Sequence, residues 1–250
     1  MPLTSLIALV MLFFVTTVIG VVTGSNSLIT VPAMFQFGID EKVAVATNMF
    51  GLTFMAVGAS IPFVRQGAVD FKQIRPLIIL TIVSSAIGAA LVGLITNESI
   101  KLIVSIAMIA VAVFIFIKPQ SGVKPGGAGS RRAALITFVL TFLLGVYGGL
   151  YSGGYVTILT TVLVAFFGMT FTQSIAATKV INVFSSLVAT IVFMWQGLVD
   201  YKLGAILAVT MFAGAYVGAH YVTKMNDVWL KRIFLATVFI LAIKTIIDII

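Results

Sequence analysis

Cysteine is absent from this chain of 250 residues, which removes disulfides, thiolate metal sites and cysteine nucleophiles and leaves the redox compartment open. Charge is nearly as scarce, since Asp, Glu, Lys and Arg together make 9% of the residues and His220 is the single histidine. So few oxygen and imidazole ligands disfavour a metal path. The carboxylates are peripheral too: Asp40, Glu41, Asp70, Glu98, Asp200 and Asp227 fall at loops or at the ends of apolar stretches, and Asp248 is near the C-terminus. No carboxylate relay runs through the apolar interior. The start, "MPLTSLIALVMLFF", lacks a basic n-region and a small-residue cleavage site, so it reads as a first membrane span rather than a removable leader.

What the chain has in excess is hydrophobicity, 61% of residues with a mean hydropathy of +1.22, more apolar surface than a soluble fold of this length can hide. It reads as a membrane protein. The apolar stretches are long enough for helices of about 20 residues, and the ten-residue alternation of barrel strands is missing. The expected fold class is therefore an all-α polytopic membrane protein. Apolar blocks near 3–36, 43–64, 74–96, 99–117, 133–167, 173–195, 203–223 and 228–250 give about eight transmembrane helices. The net charge of +8 sits in short loops without an aromatic-interleaved basic stripe, which speaks for loop charges that orient the protein and against nucleic acid. Arg65, Lys72, Arg75, Lys118, Lys124, Arg131 and Arg132 share one face under this count, expected to be cytoplasmic, with both termini on that side of the plasma membrane. Lys224, Lys231 and Arg232 fall on the opposite side.

The linker "KPQSGVKPGGAGSRR" divides the chain into a first transmembrane repeat (1–118), a cytoplasmic linker (119–132) and a second repeat (133–250). The repeat is visible in "QGAVDFK" at 66–72 and "QGLVDYK" at 196–202, offset by 130 positions, and in Gly88-Ala89 against Gly218-Ala219 at the same offset. "VAVATN" (43–48) against "SIAATK" (174–179) extends it with one residue of slippage. Each heptapeptide is expected to be a structural turn between the second and third spans of its half, both on the cytoplasmic face. Two tandem repeats of four spans would share one orientation; if a glycine-interrupted block crosses twice, they are inverted.

Those blocks, 3–36 and 133–167, are too long for one crossing, because about 34 residues at 1.5 Å each exceed the bilayer core. A break in the first helix of each repeat is expected at Gly20, Gly24, Ser25, Asn26 and Ser27, and at Gly148, Gly149, Ser152, Gly153 and Gly154. Short helices then resume near 27–36 and 154–167. Their N-termini lie inside the membrane, where unpaired N–H groups seat an anion, and the two ends can converge. Gly88, Gly93, Gly214 and Gly218 are assigned to helix packing.

Lys179 lies within the sixth block and Asn48 occupies the matching place in the first half. A lysine at that depth with no carboxylate partner asks for an anionic ligand. Thr178 precedes it, and Asn182 and Ser186 share its helical face; Thr47, Asn48 and Gly51 are the counterpart. The candidate substrate-binding set is therefore Gly24, Ser25, Asn26, Ser27, Thr47, Asn48, Ser152, Gly153, Gly154, Thr178, Lys179 and Asn182. No catalytic residue, metal or cofactor is assigned. The rival, an intramembrane serine hydrolase using Ser152 and His220, lacks a GxSG arrangement and puts its histidine near the end of a span.

The glycine-rich break after the first helix, the "ITVP" proline (Pro32), "AVATN" and "AATK", and the "QG.VD.K" loop, each set followed by its second copy, resemble the TauE/SafE family of membrane permeases, the sulfite and organosulfur exporters. The family's denser glycine run is diluted in "TGSNSLITVP", and Leu159 stands where the second copy would carry a proline. The resemblance implies a permease moving sulfite, sulfonates or thiosulfate, by export and alternating access between the repeats. Uptake, or a channel for another small organic anion, is the alternative. The implied partners are a small sulfur-containing anion and the lipid bilayer, with a homo-oligomer left open.

Overall fold

The structure, a computed structural model, describes residues 2–24, 26–106, 131–226, 228, 229 and 232. Among these the regular structure is entirely helical: α1 (Leu3–Thr23), α2 (Ser27–Gln36), α3 (Glu41–Arg65), α4 (Phe71–Leu94), α5 (97–106 as described), α6 (Arg131–Leu150), α7 (Tyr155–Phe167), α8 (Phe171–Trp195) and α9 (Tyr201–Val222). Six of them, α1, α3, α4, α6, α8 and α9, are long and apolar enough to cross a membrane, whereas α2 and α7 are short. Most of the expected fourth and eighth spans, and of the linker, lies outside the described residues. Large side chains such as Ile7, Met11, Ile79, Val83, Leu143 and Val209 are exposed, as a lipid-facing surface requires.

Both expected breaks are present, though shifted. α1 stops at Gly24, which takes a left-handed φ of 68°, and α7 starts after Gly154 at φ 79°. Gly20, Gly148 and Gly149 instead lie inside α1 and α6: a Cβ on Gly148 would meet the Tyr155 ring, and one on Gly149 would strike the Ser85 backbone. They allow close approach rather than the break. The glycines assigned to packing do pack, with Gly88 against the Val146 carbonyl, Gly93 against Gln196, Gly214 against Phe14 and Gly218 against Val18.

The repeated heptapeptide is a helix stop joined to a helix start. Gly67 and Gly197 both have φ 69°, and the next amides, Ala68 N–H and Leu198 N–H, donate back to Phe63 O and Phe193 O at 3.0 Å, a Schellman ending. Asp70 then accepts from the Lys72 and Gln73 amides to cap α4, and Asp200 from the Leu203 amide to cap α9. The carboxylates thus meet backbone N–H groups at the helix starts.

Contacts between helices give the direction of each. Gly204 of α9 packs beside Thr47 and Phe50 of α3, and Gly58 of α3 beside Phe212 of α9, so α3 and α9 run parallel. α1 runs parallel to α9, Phe14 beside Gly214 and Val18 beside Gly218. α2 runs antiparallel to α3, since Ser27 and Thr30 reach Asn48, seven residues after Glu41, while Asn26 reaches Met55 further on. After the first break the chain therefore turns back toward the end at which α3 begins, here the near end. There Asn97 donates to Asp40, and Lys101 pairs with Glu41 at 2.8 Å.

The second half is laid out the other way. α4 leaves the far end, where α3 finished; α6 runs parallel to it, Gly145 beside Ser84 and Leu150 beside Gly88. α7 and the start of α8 return to the far end, because Met169 and Gln173 share a cavity wall with Gly67, Asp70 and Gln73. α8 finishes at the near end, where the Gln196 side chain donates to Ala89 O and Ala90 O and the Asp200 amide donates to Thr47 Oγ1 at 3.0 Å. The two heptapeptide turns consequently lie at opposite ends of the bundle, which corrects the expectation of a shared face.

Candidate functional site

The two breaks meet in the interior. Ser27, first residue of α2, and Ser152, between α6 and α7, place their hydroxyls 2.7 Å apart. Tyr151 Oη donates to Ser27 O at 3.0 Å, and Thr157 Oγ1 donates to Thr23 O at 2.6 Å, so side chains of the second half bond backbone carbonyls at the first break. Gly24 is forced by this meeting: a Cβ there would lie 2.7 Å from the Val156 side chain. Non-helical backbone at this depth is thus packed against protein, the condition under which a membrane interior tolerates it.

Beside this junction is a small cavity lined by Gly24, Asn26, Ser27, Leu52, Met55, Ala56, Ser152, Val156, Lys179 and Asn182. The structure therefore brings Gly24, Asn26, Ser27, Ser152, Lys179 and Asn182 of the candidate set to one place. Lys179 is buried, 3% exposed, and its Nζ donates to Gly20 O at 3.1 Å in the last turn of α1. A lysine ammonium offers three donors, so two remain. Among the described residues no carboxylate pairs with it; the ion pair there is Lys101 with Glu41.

The remaining candidates stand behind the wall. Asn48 donates to Ser27 Oγ at 2.9 Å and accepts from Thr30 Oγ1 at 2.8 Å, which orients Ser27. Thr178 pairs with Thr160 at 3.3 Å. Gly153 accepts through its carbonyl from Tyr147 Oη, and Gly154 supplies the left-handed entry to α7. Thr47 is committed to the Asp200 amide and so belongs to the near-end turn rather than to the cavity. Ser25 lies outside the described residues. Ser186 returns its hydroxyl to Asn182 O at 2.6 Å. The pairing of Ser152 with His220 is not made: Ser152 meets Ser27, while His220 is exposed in the last turn of α9 beside Tyr221. Among the described residues no cluster of His, Asp and Glu could hold a metal.

Sequence reasoning missed Leu52, Met55 and Ala56 of α3, and Val156. Their apolar side chains resemble lipid-facing ones in sequence, and only the crossing of α3 with α8 turns them inward. It missed the Gly20 carbonyl as the acceptor for Lys179 for the same reason, since a backbone oxygen has no sequence signature.

The family model described as "Sulfite exporter TauE/SafE" matches residues 8–245. The chain belongs to the TauE/SafE family. A Sinorhizobium protein described as "Probable membrane transporter protein ORF9" is 27% identical, over 94% of this chain and 90% of that one. A "Probable membrane transporter protein" of Haemophilus influenzae is 25% identical over 94% and 92%, and YfcA of Escherichia coli, described in the same words, 24% over 95% and 89%. No solved structure matches the chain. This TauE/SafE protein is a multi-pass membrane transporter, with a cavity that carries polar side chains at its two helix breaks.

Proposed function

We propose that this transporter carries small sulfur-containing anions, such as sulfite, sulfonates or thiosulfate, and that they bind between the two helix breaks. The observation that carries the reading is Lys179, a buried lysine with spare donors in a cavity that also holds Ser27, Ser152, Asn26 and Asn182. A buried ammonium without a counter-charge is costly, and an anion is the partner that relieves it. The N-terminus of α2 adds its partial positive charge at the same place.

The segments 1–118 and 133–250 are read as inverted repeats. The exchange of partners supports this, since α1 packs on α9 while α6 packs on α4. Alternating access is then rocking of one repeat against the other around the cavity. Arg65, Lys72, Arg75, Arg132 and Lys224 lie at the far end with Asp70, whereas Lys42, Lys101 and Lys202 at the near end are matched by Asp40, Glu41, Glu98 and Asp200. The positive-inside rule makes the far end cytoplasmic, which brings Lys224 onto the basic side and puts the N-terminus outside. With the cell interior negative, each negative charge that leaves gains about 2.3 kcal/mol per 100 mV, so export needs no carboxylate relay.

The test is thermal stability of the purified protein with sulfite, thiosulfate, sulfoacetate, taurine, sulfate and acetate, repeated with Lys179→Met. A ligand that binds only the folded state raises the melting temperature, and the rise grows with the logarithm of ligand concentration above its Kd. Selective stabilisation by a sulfur anion, lost in the variant, is expected; a shift indifferent to Lys179 would move the site elsewhere.

A further inference from the structure

The cavity contains one polar group that an anion alone leaves unused. Asn26 lines it and is 3% exposed; its Nδ2 donates to Met55 Sδ at 3.6 Å, while its Oδ1 is buried with no hydrogen-bond partner among the described residues. An oxygen acceptor in that condition is normally met by a donor, and leaving it unmet is costly. None of the donors on the surrounding walls reaches it in this structure. Ser27 and Ser152 are bonded to each other and Ser27 also accepts from Asn48, and Lys179 is turned to Gly20 O. The Asn182 amide shares the lining but does not reach it, and the other nearby walls, Leu52, Met55, Ala56 and Val156, bear no side-chain N–H or O–H.

We propose that the substrate is a monoanion that itself carries a hydrogen-bond donor, its anionic oxygens on Lys179 and the serine pair and its O–H or N–H on Asn26 Oδ1. The inference rests on the proposed anion site and narrows its substrate class. One lysine with no second cation among the lining residues matches a single negative charge. Of the two serine hydroxyl hydrogens, one is spent between them, so the other is free to point at the anion. The unmet acceptor then discriminates by what the ligand lacks: a site holding a buried acceptor rejects an analogue without the donor more strongly than an apolar pocket rejects an extra group. Hydrogensulfite and hydroxyalkanesulfonates meet both demands. The sulfite dianion, sulfate and plain alkanesulfonates do not.

The experiment compares 2-hydroxyethanesulfonate with 1-propanesulfonate, in which a methyl replaces the hydroxyl, by ligand titration of thermal stability on the full-length protein. The unmodified protein should bind the hydroxyl ligand roughly tenfold more tightly, and Asn26→Leu should abolish that preference. Equal binding of the pair by the unmodified protein overturns the donor requirement while leaving the anion site standing. Persistence of the preference in Asn26→Leu overturns the assignment to Asn26. Binding of neither ligand, with no anion response that depends on Lys179, overturns this inference together with the proposed function. The first comparison needs no variant to fold.

Discussion

Lys179 concentrates the chemistry of the molecule in one side chain. Its neighbours on α8, Thr178 and Asn182, are neutral, and its one hydrogen bond is to a backbone carbonyl that already accepts from Gly24 N–H at 2.8 Å. Such a group is poorly compensated in the ligand-free fold, because a shared carbonyl does not replace the hydration of an ammonium. Replacing it with methionine, similar in length and uncharged, should therefore leave the melting temperature of the ligand-free protein unchanged or raise it, while anion binding disappears. A ligand-free destabilisation beyond about 3 kcal/mol would instead mark Lys179 as part of the structural frame. Asn48, the matching residue of the first half, donates to Ser27 and accepts from Thr30. The two copies have diverged in role: one side chain faces the cavity and the other props its wall.

At the scale of elements, the breaks depend on glycine to different degrees, and the difference is measurable. Gly24 has both a left-handed φ and the Val156 side chain within 2.7 Å of where a Cβ would go, whereas Gly38, at φ 76° after α2, has open space around it. Gly38→Ala should cost about 1 kcal/mol, the strain of the left-handed region alone. Gly24→Ala should cost more, about 2–4 kcal/mol, since overpacking is added. Chemical denaturation in detergent compares them; equal costs would contradict the tight meeting of the two breaks. The break positions were readable to within a few residues, because proline-free glycine and serine runs inside an overlong apolar block leave few other places to end a helix. That Gly20, Gly148 and Gly149 continue the helices was not readable. A glycine that permits close packing and one that turns the chain look alike until the neighbour is known.

For the whole molecule, the absence of cysteine supplies a ready background for a topology experiment. Lys72 and Lys202 occupy equivalent places in the two heptapeptides and both are exposed. With Lys202→Cys a membrane-impermeant maleimide should label intact cells, and with Lys72→Cys it should label only after permeabilisation. Labelling of both from one side would contradict the opposed layout of the two halves. The same layout explains how one cavity comes to be bounded by both halves: α3 and α8, the third helix of each, cross at the centre with Thr53 and Thr190 hydroxyls 3.1 Å apart.

What the sequence by itself determined is the solvent, the helical class, the places where helices fail, and the isolated lysine, since each depends on composition or on neighbours a few residues apart. The family could also be read from it, because short motifs survive in both copies. What only the tertiary structure decided is the direction of the chain after each break, the opposed ends of the two identical-looking turns, and which candidates face one another. An apolar helix has the same residues whether it runs up or down through a bilayer, and a glycine break reads alike whether the chain goes on or doubles back. Thr47 and Thr178 look equivalent in sequence, yet one holds a loop and the other a neighbouring helix, and that choice was made by the long-range contact of α3 with the start of α9.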